Sequence, residues 1–140
     1  MQQEIIKEAR GWLGTKWRHG QCRKGVSADC VGFVVGVFRN LGYDVFYENY
    51  QQKPVGDELY YEFKKRLVEK PVSEKDIGDV ILFKVFKKTI HTGILSDYSK
   101  NTFWYIHSDD RPGVCKVVET PLTPNWERRI AYCFKIISIS

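Results

Sequence analysis

Three residues stand where their types and spacing could do covalent chemistry: Cys30 at the head of the apolar run CVGFVVGVFRNL, and His91 and His107 on either side of the polar turn DYSKN. A thiol, an imidazole to take its proton and a second polar group to orient that imidazole form the general arrangement for nucleophilic attack on a carbonyl. If the run from Cys30 is a helix, its first-turn N–H groups and its dipole favour negative charge at the sulfur. This predicts a thiol pKa lowered toward the thiolate. The same N–H groups could hold the oxyanion of a tetrahedral intermediate.

The histidines are related by arithmetic. His91 lies eight residues before Ser99 and His107 eight after it. In an antiparallel hairpin turning symmetrically about Ser99 they are cross-strand partners on one face, with Cβ atoms about 4.5 to 5.5 Å apart. A bulge would break this register. Ile90 and Thr92 then point away from His91, and Ile106 and Ser108 away from His107, because the side-chain period of a strand is two. The bland alternatives are two ordinary half-buried strand histidines, or half of a zinc site completed by a cysteine. No CxxC or HxxxH spacing supports the metal.

Positioning these groups requires a helix behind the cysteine and a sheet under the histidines. Ile5, Ile6, Ala9, Trp12 and Leu13 recur at helical spacing, with Gly11 and Gly14 at the end, which predicts a first helix over about residues 2–12. Residues 14–29 are aperiodic and read as a long loop, a length usually reserved for function. Residues 30–41 read as a buried helix on their length, on Asp29 or Ser27 as cap and on Gly42 as terminator, although valines and two internal glycines argue for a strand. A surface helix is predicted over 57–69 with Leu59, Phe63 and Leu67 inward. Then the pattern turns to β in DVILFKVF, TIHTGILSD, TFWYIHS, GVCKVVET and RIAYCFKIIS. Helices followed by a meander of about five antiparallel strands make an α+β domain with its helices packed on one sheet. A chain of 140 residues predicts a single domain over 1–140.

With 43% hydrophobic and 28% charged residues the composition is that of a soluble globular protein and excludes intrinsic disorder. No run reaches the roughly 18 apolar residues of a membrane span, and MQQEIIKEARGWLG lacks the pattern of a secretory leader. The expected location is therefore cytoplasmic, or outside the cell by another route or after loss of a leader. Four cysteines, Cys22, Cys30, Cys115 and Cys133, are too few for a disulfide scaffold, so free thiols are expected. The net charge of +5 is spread along the chain and reads as a solvated basic surface, with anionic cell wall as a lesser reading and nucleic acid not expected as partner.

The string GTKWRHGQCRKGVSADCVGF resembles the GTxYRxGG…GxDCSGF nucleophile motif of the NlpC family of papain-like cell-wall cysteine peptidases. GDVILFK is similar to that family's GDLVFF strand, HTGIL to its HVGIY strand with the catalytic histidine, and YIHS to its F[IV]HAS segment with the third polar residue. The four motifs occur in the family's order over about residues 5–110. The resemblance implies a papain-like fold and hydrolysis of amide bonds in peptidoglycan stem peptides, commonly γ-D-glutamyl to diaminopimelate, through a thioacyl-enzyme and with no metal or cofactor. Cys30 matches the nucleophile, His91 the base and His107 the orienting residue, with Asp29 before the cysteine in the cleft motif. Trp17 stands where the family has a tyrosine that supports the oxyanion, and offers only an indole N–H for that role. Val31 replaces the usual serine after the cysteine. His19 and Cys22 lie in the same loop and are candidate cleft residues, with a Cys22–Cys30 disulfide as a conceivable off switch. The Lys-Gly-Val insert before Asp-Cys is similar to versions encoded in phage tail and gene-transfer-agent clusters. Two other functions fit the same scaffold, an acyltransferase or other thiol hydrolase and a non-catalytic phage-tail assembly or binding protein; oligomeric state is not readable.

Overall fold

The computed structural model describes residues 1–45, 47 and 57–136. Helix α1 (Gln2–Arg10) is followed by two short strands, β1 (Cys22–Arg23) and β2 (Ser27–Ala28), which pair with each other. Helices α2 (Cys30–Asn40) and α3 (Glu58–Lys64) come next. Then follow strands β3 (Val68–Lys70), β4 (Val80–Val85), β5 (Lys88–Ser99), β6 (Thr102–Asp109) and β7 (Lys116–Pro121), the single helical turn α4 (Pro124–Glu127), and β8 (Ile130–Lys135). Among the described residues β3 to β8 form one six-stranded sheet in the order β3-β8-β4-β5-β6-β7, with every pair antiparallel. The α+β class is as the sequence predicts. The simple meander is not, because β8 returns to lie between β4 and β3.

Helix α2 is apolar on nearly every side because nearly every side is covered, and residues 31–38 are all buried. Its two glycines mark close approach. A Cβ on Gly32 would overlap the carbonyl of Gln21, and one on Gly36 would overlap the ring of Trp12. Their absent side chains let α2 lie against the segment before it, so they favour this helix where local propensity alone disfavours it. Asp29 caps it, accepting the Gly32 N–H at 2.7 Å.

The sheet buries both faces. Val80, Leu82, Ile94, Ile106 and Phe134 pack against α1, α2 and α3, while Ile81, Phe83, Leu95, Tyr105, Ile130 and Cys133 pack under Leu122 and Trp126. Residues 14–17 run along the outer edge of β7, with Gly14 N–H donating to Val117 O, Val117 N–H to Thr15 O and Trp17 N–H to Cys115 O. The segment read as a loop is therefore stitched to the sheet and carries a β1–β2 hairpin. The helix expected over 57–69 stops at Lys64, since residues 68–70 gain a full ladder on β8. Cys115, expected in a strand, sits before β7 in a turn with φ of 51°. The last two residues of the strand expected from RIAYCFKIIS lie outside the described residues.

The β5–β6 hairpin does not turn about Ser99. Its tip is Lys100–Asn101, both with positive φ, and Ser99 faces Thr102. That register, continued unbroken, would put His91 and His107 on opposite faces. A bulge at Ser96 inserts one extra residue, so that Leu95 faces Tyr105 and Ile94 faces Ile106. Parity is restored, but His91 lies two residues further along than expected. Extended, the register sets Gly93 opposite His107, and a Cβ on Gly93 would lie 3.0 Å from the His107 Cβ. The histidines are diagonal neighbours on one face.

Exchange of Gly36 for alanine separates the two effects at that position. Helix propensity favours alanine by about 1 kcal/mol, whereas overpacking against buried Trp12 costs about 1 to 3 kcal/mol. Urea unfolding of Gly36→Ala is expected to show net destabilisation; a stabilised variant would refute the packing account.

Candidate active site

The β5–β6 ladder ends at Ile94 and Ile106, although β4–β5 pairing continues to Lys88 and β6–β7 pairing to Asp109. The sheet opens there, and the start of α2 fills the opening. The Thr92 N–H, which faces no β6 partner, donates to the Cys30 sulfur, and the Ser108 hydroxyl donates to Ala28 O at 2.6 Å. A strand N–H lies in the plane of its sheet, so the sulfur sits at the sheet's level rather than above one face. This is how Cys30 shares a cleft with histidines that project on the face away from α2. Thr92, Ile106 and Ser108 do point to the helix side, as alternation requires. Ile90 occupies a second bulge and lines the cleft beside His91.

His91 Nε2 lies 2.8 Å from His107 Nδ1, and His107 Nε2 lies 3.1 Å from the Thr120 hydroxyl. The chain of bonds selects tautomers. For His91 to accept a proton at Nδ1, its Nε2 must carry hydrogen and donate to His107 Nδ1, and His107 must then donate through Nε2 to Thr120. The rings are clamped as well. His91 stacks on Phe83 at 5.7 Å between centroids, and His107 on Tyr105 at 4.1 Å and 13°. Thr120 gives no signal in the sequence; only the β6–β7 register, with Val118 opposite His107, reveals it as a diagonal neighbour.

Burial governs the charges. Loss of water pushes the Cys30 thiol up to about 12, with the Asp29 carboxylate adding to the shift, against the pull of the Thr92 and Val31 N–H groups. Burial likewise pushes His91 down to about 4, opposed by Asp109 and Asp110, and His107 down to about 3, with His91 as the second cause. The resting thiolate expected from the helix terminus is not what this environment favours. Thiol and both imidazoles are neutral at pH 7.

Cys30, His91 and His107 line one cleft of about 460 Å³, together with Trp17, His19 and Asp29. Asp29 does more than cap α2: its other oxygen accepts the Gly20 N–H at 2.7 Å and lies 3.6 Å from His19 Nδ1, tying the loop to the helix start. At the helix start Gly32 N–H donates to Asp29 Oδ1 and Phe33 N–H to Asp29 O, and the Cys30 N–H stands ahead of both. Cys22 is not in the cleft lining. It packs beside Gly36, six residues along α2 from Cys30, and among the described residues no cysteine is in a disulfide. Among the described residues no three His, Cys, Asp or Glu side chains converge as a metal site requires, and no helix is long and apolar enough to cross a membrane.

A family model described as NlpC/P60 matches residues 14–131, which includes every residue of the cleft. No match was found among curated proteins. Among solved structures, the NlpC/p60 domain of the peptidoglycan hydrolase SagA aligns with a TM-score of 0.69 and 20% identity, covering 97% of this chain and 99% of that one. An NlpC/P60 family protein of Bacillus cereus gives 0.68 at 19% identity over 99% of this chain, and a Staphylococcus aureus protein of the same family 0.64 at 20% over 98%. The chain spans 41% of each of those two. At such identities the structural likeness speaks for the fold, and the family model for the lineage. Mixed α+β, with a cysteine-headed helix against an antiparallel sheet, the chain belongs to the NlpC/P60 family.

Proposed function

We propose that this chain is a cysteine peptidase or amidase that hydrolyses amide bonds in peptidoglycan stem peptides, with residues 1–140 forming one catalytic unit. The observation that carries the reading is the 2.8 Å His91–His107 contact in a cleft shared with Cys30. It leaves Nδ1 of His91 as the ring nitrogen free to serve the thiol. Membership of a family whose solved relatives include a peptidoglycan hydrolase supports the substrate class.

His91 Nδ1 takes the Cys30 proton as the sulfur attacks the scissile carbonyl carbon. The oxyanion is held by the Cys30 N–H and the Trp17 indole N–H. The imidazolium returns the proton to the leaving amine, the C–N bond breaks, and a thioester remains on Cys30. Water, deprotonated by His91, then releases the carboxylic acid and the thiol. Proton transfer from thiol to imidazole leaves the net charge of the cleft unchanged, so burial opposes the ion pair less than either lone charge.

Incubation with purified muropeptides, with products identified by mass, tests the assignment. Cys30→Ala is expected to be inactive. His91→Ala should lose about 10²-fold to 10⁴-fold in turnover, the worth of positioned proton transfer, while His107→Ala and Thr120→Val lose less and Thr120→Ser recovers most of its loss. Products carrying an added amine would favour acyl transfer, and intact muropeptides would favour the binding-protein alternative.

The pH dependence follows from the burial of His91. The neutral imidazole is the base, and its pKa is lowered to about 4. The wild-type kcat/KM should therefore be flat near neutrality and fall only as pH drops through about 4. An acid limb at the ordinary histidine value near 6.5 would contradict the buried, neutral base.

A further inference from the structure

Asp109 stands two residues beyond His107 on β6, so alternation puts its carboxylate on the same face as the imidazole, roughly 6 to 7 Å along the strand. That carboxylate is out of water, with the Asp109 side chain 4% exposed. A buried negative charge beside an imidazole draws a proton onto the ring. Here such a proton would disarm the base. On His91 it would occupy Nδ1, the nitrogen that must accept the thiol proton. On His107 it would occupy Nδ1, which would then donate to His91 Nε2 and leave the hydrogen of a neutral His91 on Nδ1. The relay to Thr120 therefore works only while both rings are neutral.

Arg111 meets that charge directly. Its Nε lies 3.1 and 2.8 Å from the two carboxylate oxygens and its Nη2 lies 2.6 Å from Oδ2, while the Arg111 N–H donates to Oδ1 at 2.9 Å. The turn that places it is fixed: Val114 N–H donates to Arg111 O at 3.0 Å, and Gly113 has φ of 87°, as position three of a type II turn with Pro112 at position two requires. With its side chain 62% exposed, the guanidinium keeps water on one edge while the other neutralises the buried carboxylate. The other ionisable groups around the histidines do not replace it. Tyr105, stacked on His107, and Cys30 and Tyr47 in the cleft are pushed up to about 12 and carry no charge near neutrality. Asp29 is held by the N–H groups of Gly20 and Gly32 and lies against His19. Lys88 on β5, Lys116 opposite Asp109 on β7, and Asp110 are exposed, where water screens them.

We propose that Arg111 is a positioning residue that acts through Asp109: by pairing with the buried carboxylate it keeps that charge from drawing a proton onto the His91–His107 pair, a role that rests on the peptide-hydrolase reading for its catalytic consequence. Burial alone does not secure neutral histidines, because Asp109 opposes it at both rings and Arg111 works with it at both. Asp109 in turn holds the start of the turn that carries Arg111. The two residues form one device, whose output is the protonation state of the relay.

Solution NMR of the full chain labelled with 15N-histidine, recorded without substrate, follows each ring through a pH titration. In the wild type His91 and His107 are expected to be neutral at about pH 5, above their lowered values of about 4 and about 3. In Arg111→Gln one ring of the pair should titrate higher by about one pH unit or more. Asp109→Asn/Arg111→Gln, which removes both charges, should return it to the wild-type position, and Arg111→Lys, which keeps the cation, should stay near it. Asp109→Asn leaves no bare buried carboxylate to unfold the chain, and its rings should titrate no higher than in the wild type. Unmoved histidines in Arg111→Gln, or a raised titration in either variant without the Asp109 carboxylate, would overturn the proposal. Kinetics on muropeptides give the second readout: in Arg111→Gln the acid limb of kcat/KM should move up with that ring, and the loss should fade at alkaline pH. A loss of the same size at every pH would overturn the charge-pairing role. Muropeptides left intact by the wild type at every pH, with the NMR titrations as expected, would support the charge pairing and sink the hydrolase reading.

Discussion

Where the β5–β6 ladder ends at Ile94 and Ile106, the backbone groups released by the two strands need partners other than each other. The N-terminal end of α2 supplies one: the Thr92 N–H goes to the Cys30 sulfur, and beside it the Ser108 side-chain hydroxyl donates to the Ala28 carbonyl of β2. The site depends on this substitution of a helix start for a strand. It brings the Cys30 sulfur to the level of the sheet, within the cleft that His91 and His107 line from the other face. Asp29 secures the same junction by holding both Gly32 and Gly20, and the stitching of residues 14–17 to β7 brings Trp17 alongside.

The charge state of the site is decided by a contest of magnitudes. A helix terminus is worth about 0.3 to 1 kcal/mol, reaching about 2 when partly buried, and so shifts a thiol by little more than about one pKa unit. Full burial shifts ionisable groups by as much as about 3 to 5 units. Burial wins at Cys30, His91 and His107, and the three groups rest neutral. The relay from His91 through His107 to Thr120 then matters for where hydrogen sits rather than for stabilising charge. In the tautomer that leaves Nδ1 of His91 bare, the Nε2 hydrogen of His91 goes to His107 and that of His107 to Thr120.

Much of this was legible in the residues, and the errors have physical causes. Helix α2 could be read from its length and caps despite Gly32 and Gly36, whose reason for being glycine, the contacts with Gln21 and Trp12, is invisible without tertiary structure. The histidine pair could be found by counting from Ser99, although the true turn lies at Lys100–Asn101 and would by itself have separated the rings. The bulge at Ser96 compensates, and no local residue pattern announces it. Partners that come from other strands, Thr120 on β7 and β8 beside β4, are set by non-local pairing and left no periodic trace. Cys22 shares a loop with the cleft residues yet packs on Gly36, because the β1–β2 hairpin turns it inward.

The central claim is that Cys30 becomes covalently acylated by a peptide amide. Rapid quenching of the protein during turnover of a muropeptide, followed by intact mass measurement and peptide mapping, tests it directly. The account predicts a mass increase equal to the acyl fragment, located on the peptide containing Cys30 and absent when His91→Ala is treated in the same way. Release of cleaved product with no adduct at Cys30, or an adduct on Cys22, Cys115 or Cys133 instead, would contradict it.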